Sequence, residues 1–367
     1  MISIIGAGPC GSQLAYLLSR EGEKVSVFEE HQRIGSPVQC TGIISEEIYR
    51  IAKPDENSII NKSGKARVFS ESGNYASLSV NENIIVDRRK FDRSIAEKAE
   101  SEGAKFHLNS RFEGMTFEKS GLEMKIRNKK GIKAINTEML VGADGPSSSV
   151  ARAFGLFRRS GFLTGTQIVT KYKNENFIDF FLLKKGIGWI VPLDEKTARI
   201  GVAFERDSGI KFNAFLRRVF GKSWRNSVLT STEKNAGLIP LFSPFQKIQK
   251  GNVFLLGDSA RQVKATTFGG IVPGLKAAKI LSRSILEKKS YSLMCAKELF
   301  PDLYASLVVR KILNRCNEQE TEEIIKILGS RRMNKLIGEK SRDRMFSLGL
   351  NALLEEPRLI YFLKNAF

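Results

Sequence analysis

The stretch Met1–Glu30, MISIIGAGPCGSQLAYLLSREGEKVSVFEE, leaves this chain few choices of fold. A β-branched run, Ile2–Ile5, enters Gly6-Ala7-Gly8-Pro9-Cys10-Gly11. A helical pattern follows with Leu14, Leu17 and Leu18 on one face, and a second strand, Val25–Phe28, ends at Glu29. Strand, glycine turn, helix, strand and acid within about thirty residues form the unit that holds a dinucleotide. Gly6 permits the tight turn, Gly8 lets backbone approach a pyrophosphate, and Gly11 lets the helix pack close to the sheet. The helix N-terminus offers unpaired N–H groups to the anion. Glu29 arrives where a carboxylate would accept hydrogen bonds from a ribose.

The residue inventory removes other chemistries. Four cysteines (Cys10, Cys40, Cys295, Cys316) show no CxxC pairing and only two histidines exist, which points away from a zinc site or a disulfide framework. His31 sits beside the ribose-binding acid and His107 in a strand after Gly103, so both read as ordinary surface or strand residues rather than general bases. The hard chemistry must come from a cofactor. The length of 367 residues suits two domains, or one large domain with an insertion. No secretory pattern precedes Ile2, and no apolar run approaches the ~20 residues that span a bilayer, so the expected location is cytoplasmic, peripheral on a membrane. A formal net charge of +20 implies attraction to polyanions, either nucleic acid or an anionic bilayer.

Beyond the opening unit, Gly35, Pro37 and Gly42 make 31–45 a loop around Cys40. On residue chemistry alone Cys40 reads as a small buried apolar residue. Alternation from Arg67 to Val86 predicts antiparallel strands, and Asp87–Asp92 opens a helix to about Glu102 with Phe91, Ile95 and Ala99 inward. Strands are expected through Phe106, Met115–Phe117 and Leu122–Ile126. Met139–Arg152 is a second strand–turn–helix junction, whose Asp144 and Gly145 give a carboxylate and a flexible backbone. From Phe157 to Gly251 a β-rich insertion is expected, with strands at Thr166–Lys173, Phe177–Leu183, Trp189–Pro192 and Arg199–Phe204. Strand Asn252–Leu256 then reaches Gly257-Asp258, where a carboxylate could hold a sugar-like hydroxyl chain, and a helix runs from Pro273 to about Leu286. The tail Tyr291–Phe367 reads as helical, charged outside and apolar inside.

Gly6-x-Gly8-x-x-Gly11 with Glu29, then Ala143-Asp144-Gly145, then Gly257-Asp258, in this order, resemble FAD enzymes of the p-hydroxybenzoate hydroxylase fold. The resemblance implies an α/β fold: a Rossmann-like FAD-binding domain (1–156 and 251–290), an inserted β-rich substrate domain (157–250) and a helical C-terminal region (291–367). Strands around 64–86 could join the substrate domain. It also implies that Asp258 binds the flavin ribitol, that Asp144 and Gly145 lie near the cofactor, and that Arg88, in Asp87-Arg88-x-x-Phe91-Asp92, contacts FAD.

A narrower resemblance is to the geranylgeranyl reductases. It rests on the cysteine loop Pro37–Ser45, the flavin loop Gly257–Ile271 and Gly188-Trp189-Ile190-Val191-Pro192, which is similar to the end of the family's substrate-cavity motif PxxYxWxFP. Lys184, Ile187 and Val191 replace fixed residues of that motif. In the flavin loop Arg261 and Phe268 stand at glycine positions and Ala265 at a proline. The resemblance implies FAD-dependent saturation of prenyl chains of archaeal-type ether lipids, with hydride from the flavin and a proton from an acid for which Cys40 is the candidate among the residues and a bound water the alternative. Gly269, Gly270 and Ile271 would hold the flavin; Phe180, Trp189, Pro192 and Phe268 would wall the substrate. Implied partners are an isoprenoid lipid, an external reductant (NAD(P)H or a ferredoxin-like donor) and an anionic membrane surface met by Arg158-Arg159, Lys184-Lys185 and Arg217-Arg218. The rivals are an aromatic hydroxylase of the same fold and a flavin electron carrier or nucleic-acid-associated flavoprotein. No RNA-recognition motif is present, and no specific nucleic-acid partner is expected.

Overall fold

The computed structural model describes residues 1–118 and 121–366. Its first layer is a six-stranded sheet in the order Gln249–Lys250, Val253–Leu255, Met139–Gly142, Ile2–Ile5, Val25–Phe28, Lys105–His107. All neighbours pair in parallel except the first two. Ile2–Ile5 and Val25–Phe28 are buried along their whole length, as central parallel strands covered on both faces must be. Helix Pro9–Arg20 starts with proline in its first turn, where the missing N–H costs nothing, and buries Leu14, Ala15 and Leu18. Leu17, expected on that face, is half-buried. Helices Arg88–Ser101 and Ile271–Leu286 pack against it, and Phe91, Ile95 and Ala99 are buried.

A second, eight-stranded sheet runs Glu233–Pro240, Phe162–Lys171, Thr197–Phe204, Gly186–Pro192, Ile178–Leu183, Ile59–Phe69, Tyr75–Val86, Ile43–Ser45. The alternating segment before Asp87 is therefore a long hairpin joined to the inserted strands: Ile178–Phe181 pairs in parallel with Ala66–Phe69. Alternation along the strands splits the sheet's contents. Phe181, Ile190, Ile200 and Val202 pack under helix Ser208–Phe220 against Phe212, Phe215 and Leu216. Phe180, Ile187 and Trp189 face the other way, into a cluster that includes Phe268. A three-stranded sheet, Arg111–Glu118, Gly121–Asn128 and Gly131–Thr137, pairs with neither, but its Phe112, Leu122, Met124 and Ile126 pack into the core of the first.

The tail folds as helices Tyr291–Glu298, Phe300–Arg315, Glu318–Leu328, Arg331–Glu339 and Met345–Glu355, then a 3-10 segment Pro357–Ala366. Ile312, Ile324, Ile327, Met333, Leu336, Ala352 and Phe362 form its own core. Phe367 lies outside the described residues. The sequence predicts a charged exterior throughout, and the structure corrects this for Met345–Glu355, where Phe346, Leu350 and Leu354 are exposed. Among the described residues no helix is long and apolar enough to cross a membrane.

Candidate active site

Residues of the two large sheets and their loops line a cavity of about 640 Å³. Its nucleotide end is built from the turn after the first strand. Gly6 has φ +102°, and a Cβ there would lie 2.4 Å from the Ala143 carbonyl oxygen, so only glycine closes this turn. Gly8, by contrast, would direct a Cβ into empty cavity. Gly11 does not line the cavity. A Cβ on it would strike the Gly6 carbonyl oxygen at 2.1 Å, so it serves the close fit of helix to strand. The Glu29 carboxylate accepts from the Ala7 N–H (2.8 Å) and the His31 N–H (2.9 Å), and His31 Nδ1 lies 2.6 Å away. His107 stacks on Phe28 with ring centroids 4.8 Å apart.

Asp144 lines the cavity, but its oxygens are already engaged. They accept from the Ser148 hydroxyl (2.6 Å), the Ser149 N–H (2.7 Å) and hydroxyl (2.9 Å) and the Val150 N–H (3.1 Å). It thereby fixes the turn at Gly145, where φ is +77°. Asp258 is the opposite case. Its carboxylate makes no side-chain hydrogen bond among the described residues and lines the cavity. Burial pushes its pKa up to about 6, with the Arg88 charge opposing. Arg88 is fixed by a two-pronged bond to Asp92, 2.8 Å on each prong, and lies beside the Cys40 thiol. Burial disfavours the Arg88 charge, yet Asp92 and Cys40 hold its pKa above the ordinary value.

Gly269, Gly270 and Ile271 line the cavity beside Asp258, and a Cβ at Gly270 would lie 2.7 Å from Asp258 Oδ1. A slot left open at Gly8, an unpartnered carboxylate at Asp258 and a glycine turn at the start of a buried helix fit a dinucleotide that carries a polyhydroxyl chain. The residues that would hold it are Gly6, Gly8, Glu29, Arg88, Asp258 and Gly269–Ile271.

The other end is walled by Phe180, Ile187, Trp189, Leu238, Ile239 and Phe268. Pro192, expected here, does not line the cavity; it ends its strand, and its carbonyl accepts from Asn61 at 3.1 Å. The reason is alternation, since Pro192 lies an odd number of residues beyond Trp189 and so faces the opposite side of the strand. Cys40 faces the space between the two ends, flanked by Arg88 and the buried Arg199. Two bonds tether its loop to the sheet. Gln167 Nε2 donates to the Cys40 carbonyl (3.1 Å) while its Oε1 accepts from Trp189 Nε1 (3.2 Å), and Arg199 donates to the Thr41 carbonyl.

Sequence reasoning missed several residues that shape this site. Arg310, from the tail, donates to the carbonyls of Ala265 (2.9 Å), Thr266 (2.6 Å) and Gly186 (3.2 Å) and lies over the Phe268 ring at 4.8 Å. Burial lowers its pKa to about 10. Asp343, also from the tail, binds two residues that line the cavity, Ser45 and Lys264. Burial would raise the Asp343 pKa, but the charges of Lys264 and Arg342 hold it well below the carboxylate range. Arg342 itself lines the cavity. Each joins segments far apart in the chain, so no local pattern announces it; buried-face spacing places Arg310 on a helix and nothing more.

Comparison with known proteins agrees with this geometry. Over 91% of this chain and 92% of its own length, digeranylgeranylglycerophospholipid reductase 3 of Methanosphaera stadtmanae is 29% identical. The digeranylgeranylglycerophospholipid reductase of Methanocaldococcus jannaschii is 25% identical over 89% and 90%. A crystal structure of a geranylgeranyl bacteriochlorophyll reductase-like protein from Thermoplasma acidophilum superposes with a TM-score of 0.86 at 21% identity, covering 100% of this chain and 98% of that one. A flavoprotein/dehydrogenase from Cytophaga hutchinsonii shares the fold with a TM-score of 0.68 at 15% identity, over 98% and 99%. Residues 1–202 match the FAD binding domain family model, so the chain belongs to that family and is an FAD-dependent oxidoreductase.

Proposed function

We propose that this protein saturates carbon–carbon double bonds of geranylgeranyl chains in isoprenoid ether lipid precursors. One observation carries the reading: the nucleotide cradle and an apolar, aromatic-walled chamber are two ends of one cavity, with Cys40 between them. The names of the similar proteins support it. When bound and reduced, FAD supplies a hydride. An isolated alkene is a poor electrophile, so a proton must reach its other carbon. Cys40, which lines the same cavity, would give that proton from its thiol, and hydride plus proton complete one saturated bond. Phe180, Trp189, Phe268 and Ile187 hold the chain and exclude water, while the Gln167 bridge keeps Trp189 and the Cys40 loop in fixed relation.

The test is single turnover. Holoenzyme reduced with dithionite is mixed with a digeranylgeranylglycerophospholipid, and the product is weighed by mass spectrometry. The reading expects a gain of one hydrogen pair per double bond reduced. No mass gain, or oxygen uptake with NAD(P)H and an aromatic acid, would replace it with the hydroxylase reading.

A further inference from the structure

The last helix of the tail, Met345–Glu355, has a sequence that does not match its position. MFSLGLNALLE carries one charge, at its final residue. One face does ordinary work, since Leu348 and Ala352 pack on the tail core with Ile312, Phe362 and Leu359. The opposite face repeats every fourth residue and is bare: Phe346 is 51% exposed, Leu350 51% and Leu354 79%. Spacing of four places these side chains in one stripe along the helix. Ile360 (56%) and Tyr361 (60%), in the segment that follows, extend the exposed apolar surface of the tail. A helix apolar on both faces belongs in a core or against an apolar phase, and contiguous exposed patches of this kind mark interaction sites.

Two further observations say what covers the stripe. Lys340 and Arg344, just before the helix, are exposed and make no salt bridge among the described residues, although the Arg344 charge reaches Asp302. An exposed apolar stripe with exposed cations just before it suits an anionic lipid surface, the stripe meeting acyl chains and the cations meeting headgroups. The helix is also fastened to the cavity. Arg342, four residues before Phe346, lines it, and Asp343 bonds Ser45 and Lys264, which line it too. The Phe346 N–H bonds Asp302 at 2.9 Å, which fixes where the stripe begins.

We propose that helix Met345–Glu355 is the seat of this protein on an anionic bilayer, with Phe346, Leu350 and Leu354 entering the acyl boundary and Lys340 and Arg344 meeting headgroup phosphates. The inference deepens the lipid-reductase reading and rests on it, because an insoluble prenyl lipid must be reached from a membrane. It places the contact on the tail. In the inserted domain, Arg217 lies over Trp224, and Arg218 lies over Phe181 and bonds the Ser70 carbonyl.

The test needs no turnover, so it stands whether or not the substrate is right. Full-length holoprotein is sedimented with vesicles of phosphatidylcholine alone, or of phosphatidylcholine and phosphatidylglycerol in equal parts. Wild type should co-sediment with the mixed vesicles, less so as salt rises. The triple variant F346S/L350S/L354S, with flavin content as its check on folding, should bind at least tenfold more weakly. Leu354→Trp, at the most exposed position, supplies a second readout: its emission, after subtraction of the wild-type signal, should shift to the blue on mixed vesicles. Binding of the triple variant equal to wild type would overturn the proposal. So would an unmoved difference emission from the Leu354→Trp variant on vesicles that do carry the protein. A wild-type dimer that the triple variant converts to monomer would also overturn it, by assigning the stripe to a second copy of the chain.

Discussion

Asp258 should make FAD affinity depend on pH in a direction set by its surroundings. The carboxyl is half-buried in the cavity wall without a donor among the described residues, and desolvation raises its pKa to about 6. Ribityl hydroxyls donate to the ionised form, so binding favours loss of the proton. At pH 7 about nine in ten apoprotein molecules carry the charge; at pH 5 about one in ten do. The association constant should therefore fall about tenfold between these values, or about 1.4 kcal/mol. The stability of the apoprotein runs the other way. A carboxyl whose folded pKa lies above its unfolded value binds extra protons in the folded state, so stability falls as pH rises from about 4 to about 6. The cost at neutral pH is about 3 kcal/mol. Asp258→Asn should thus raise the thermal midpoint of apoprotein at pH 7, weaken FAD binding and flatten its pH dependence. FAD titration into apoprotein, followed by flavin fluorescence, and apoprotein melting at pH 5 to 8 measure both. A variant that melts lower and binds FAD with the wild-type pH slope would refute the reasoning, because Asp258 would then be a structural residue.

Cys40→Ser keeps the side chain's size but replaces the thiol with a far weaker acid. FAD content should stay near wild type while alkene saturation drops at least a hundredfold; unchanged turnover would leave Cys40 a packing residue. Arg310→Met preserves length and removes three donors from buried carbonyls of Ala265, Thr266 and Gly186. A loss on the order of 3 kcal/mol is expected, with faster hydrogen exchange across 264–271 and weaker FAD binding; unchanged exchange there would count against the clamp. Lys264→Met leaves the Asp343 carboxylate buried with its ion pair broken, which should cost about 3–5 kcal/mol. Asp343, whose pKa is depressed in the folded state, gives stability that is present above about pH 4 and lost in more acid solution, so Asp343→Asn should blunt the acid limb of a melting-versus-pH curve.

Much of the nucleotide end was legible because its requirements are local. A left-handed φ at Gly6, open space at Gly8 and close packing at Gly11 each need glycine at a fixed spacing, and the spacing is visible in one dimension. Alternation also told Phe180 from Phe181 in principle, since neighbouring strand residues face opposite sides. What stayed hidden were pairings over long separations. Ser45 and Asp343 are 298 residues apart, and Gln167 reaches Cys40 across 127. A serine, a glutamine or an arginine in such a pairing looks like any other polar residue until the chain has folded. Asp144 shows the converse: its position was visible, but not that four local donors engage its carboxylate.

Arg261 and Phe268 settle what the glycines of the flavin loop are for. Both residues stand at glycine positions of the resemblance, and both adopt glycine's backbone: φ is +58° at Arg261 and +56° at Phe268. Had the loop needed glycine only for room, larger residues would have displaced its backbone into ordinary space. Instead the left-handed turn is kept, at a cost of about 1–3 kcal/mol for each side chain. The side chains themselves offset that cost. Arg261 donates to the carbonyls of Arg158 (2.8 Å) and Ser160 (2.6 Å) and lies over the Phe162 ring, tying the loop to the start of the inserted segment. Phe268 joins the apolar wall of the cavity and is capped by Arg310. The turn geometry that presents Gly269–Ile271 to the cavity is thus retained, while the chamber beside it is narrowed by one phenyl ring. Of the two departures, Phe268 therefore bears on the apolar end of the cavity, while Arg261, which does not line it, anchors the loop; Gly269–Ile271 still face the cavity beside Asp258.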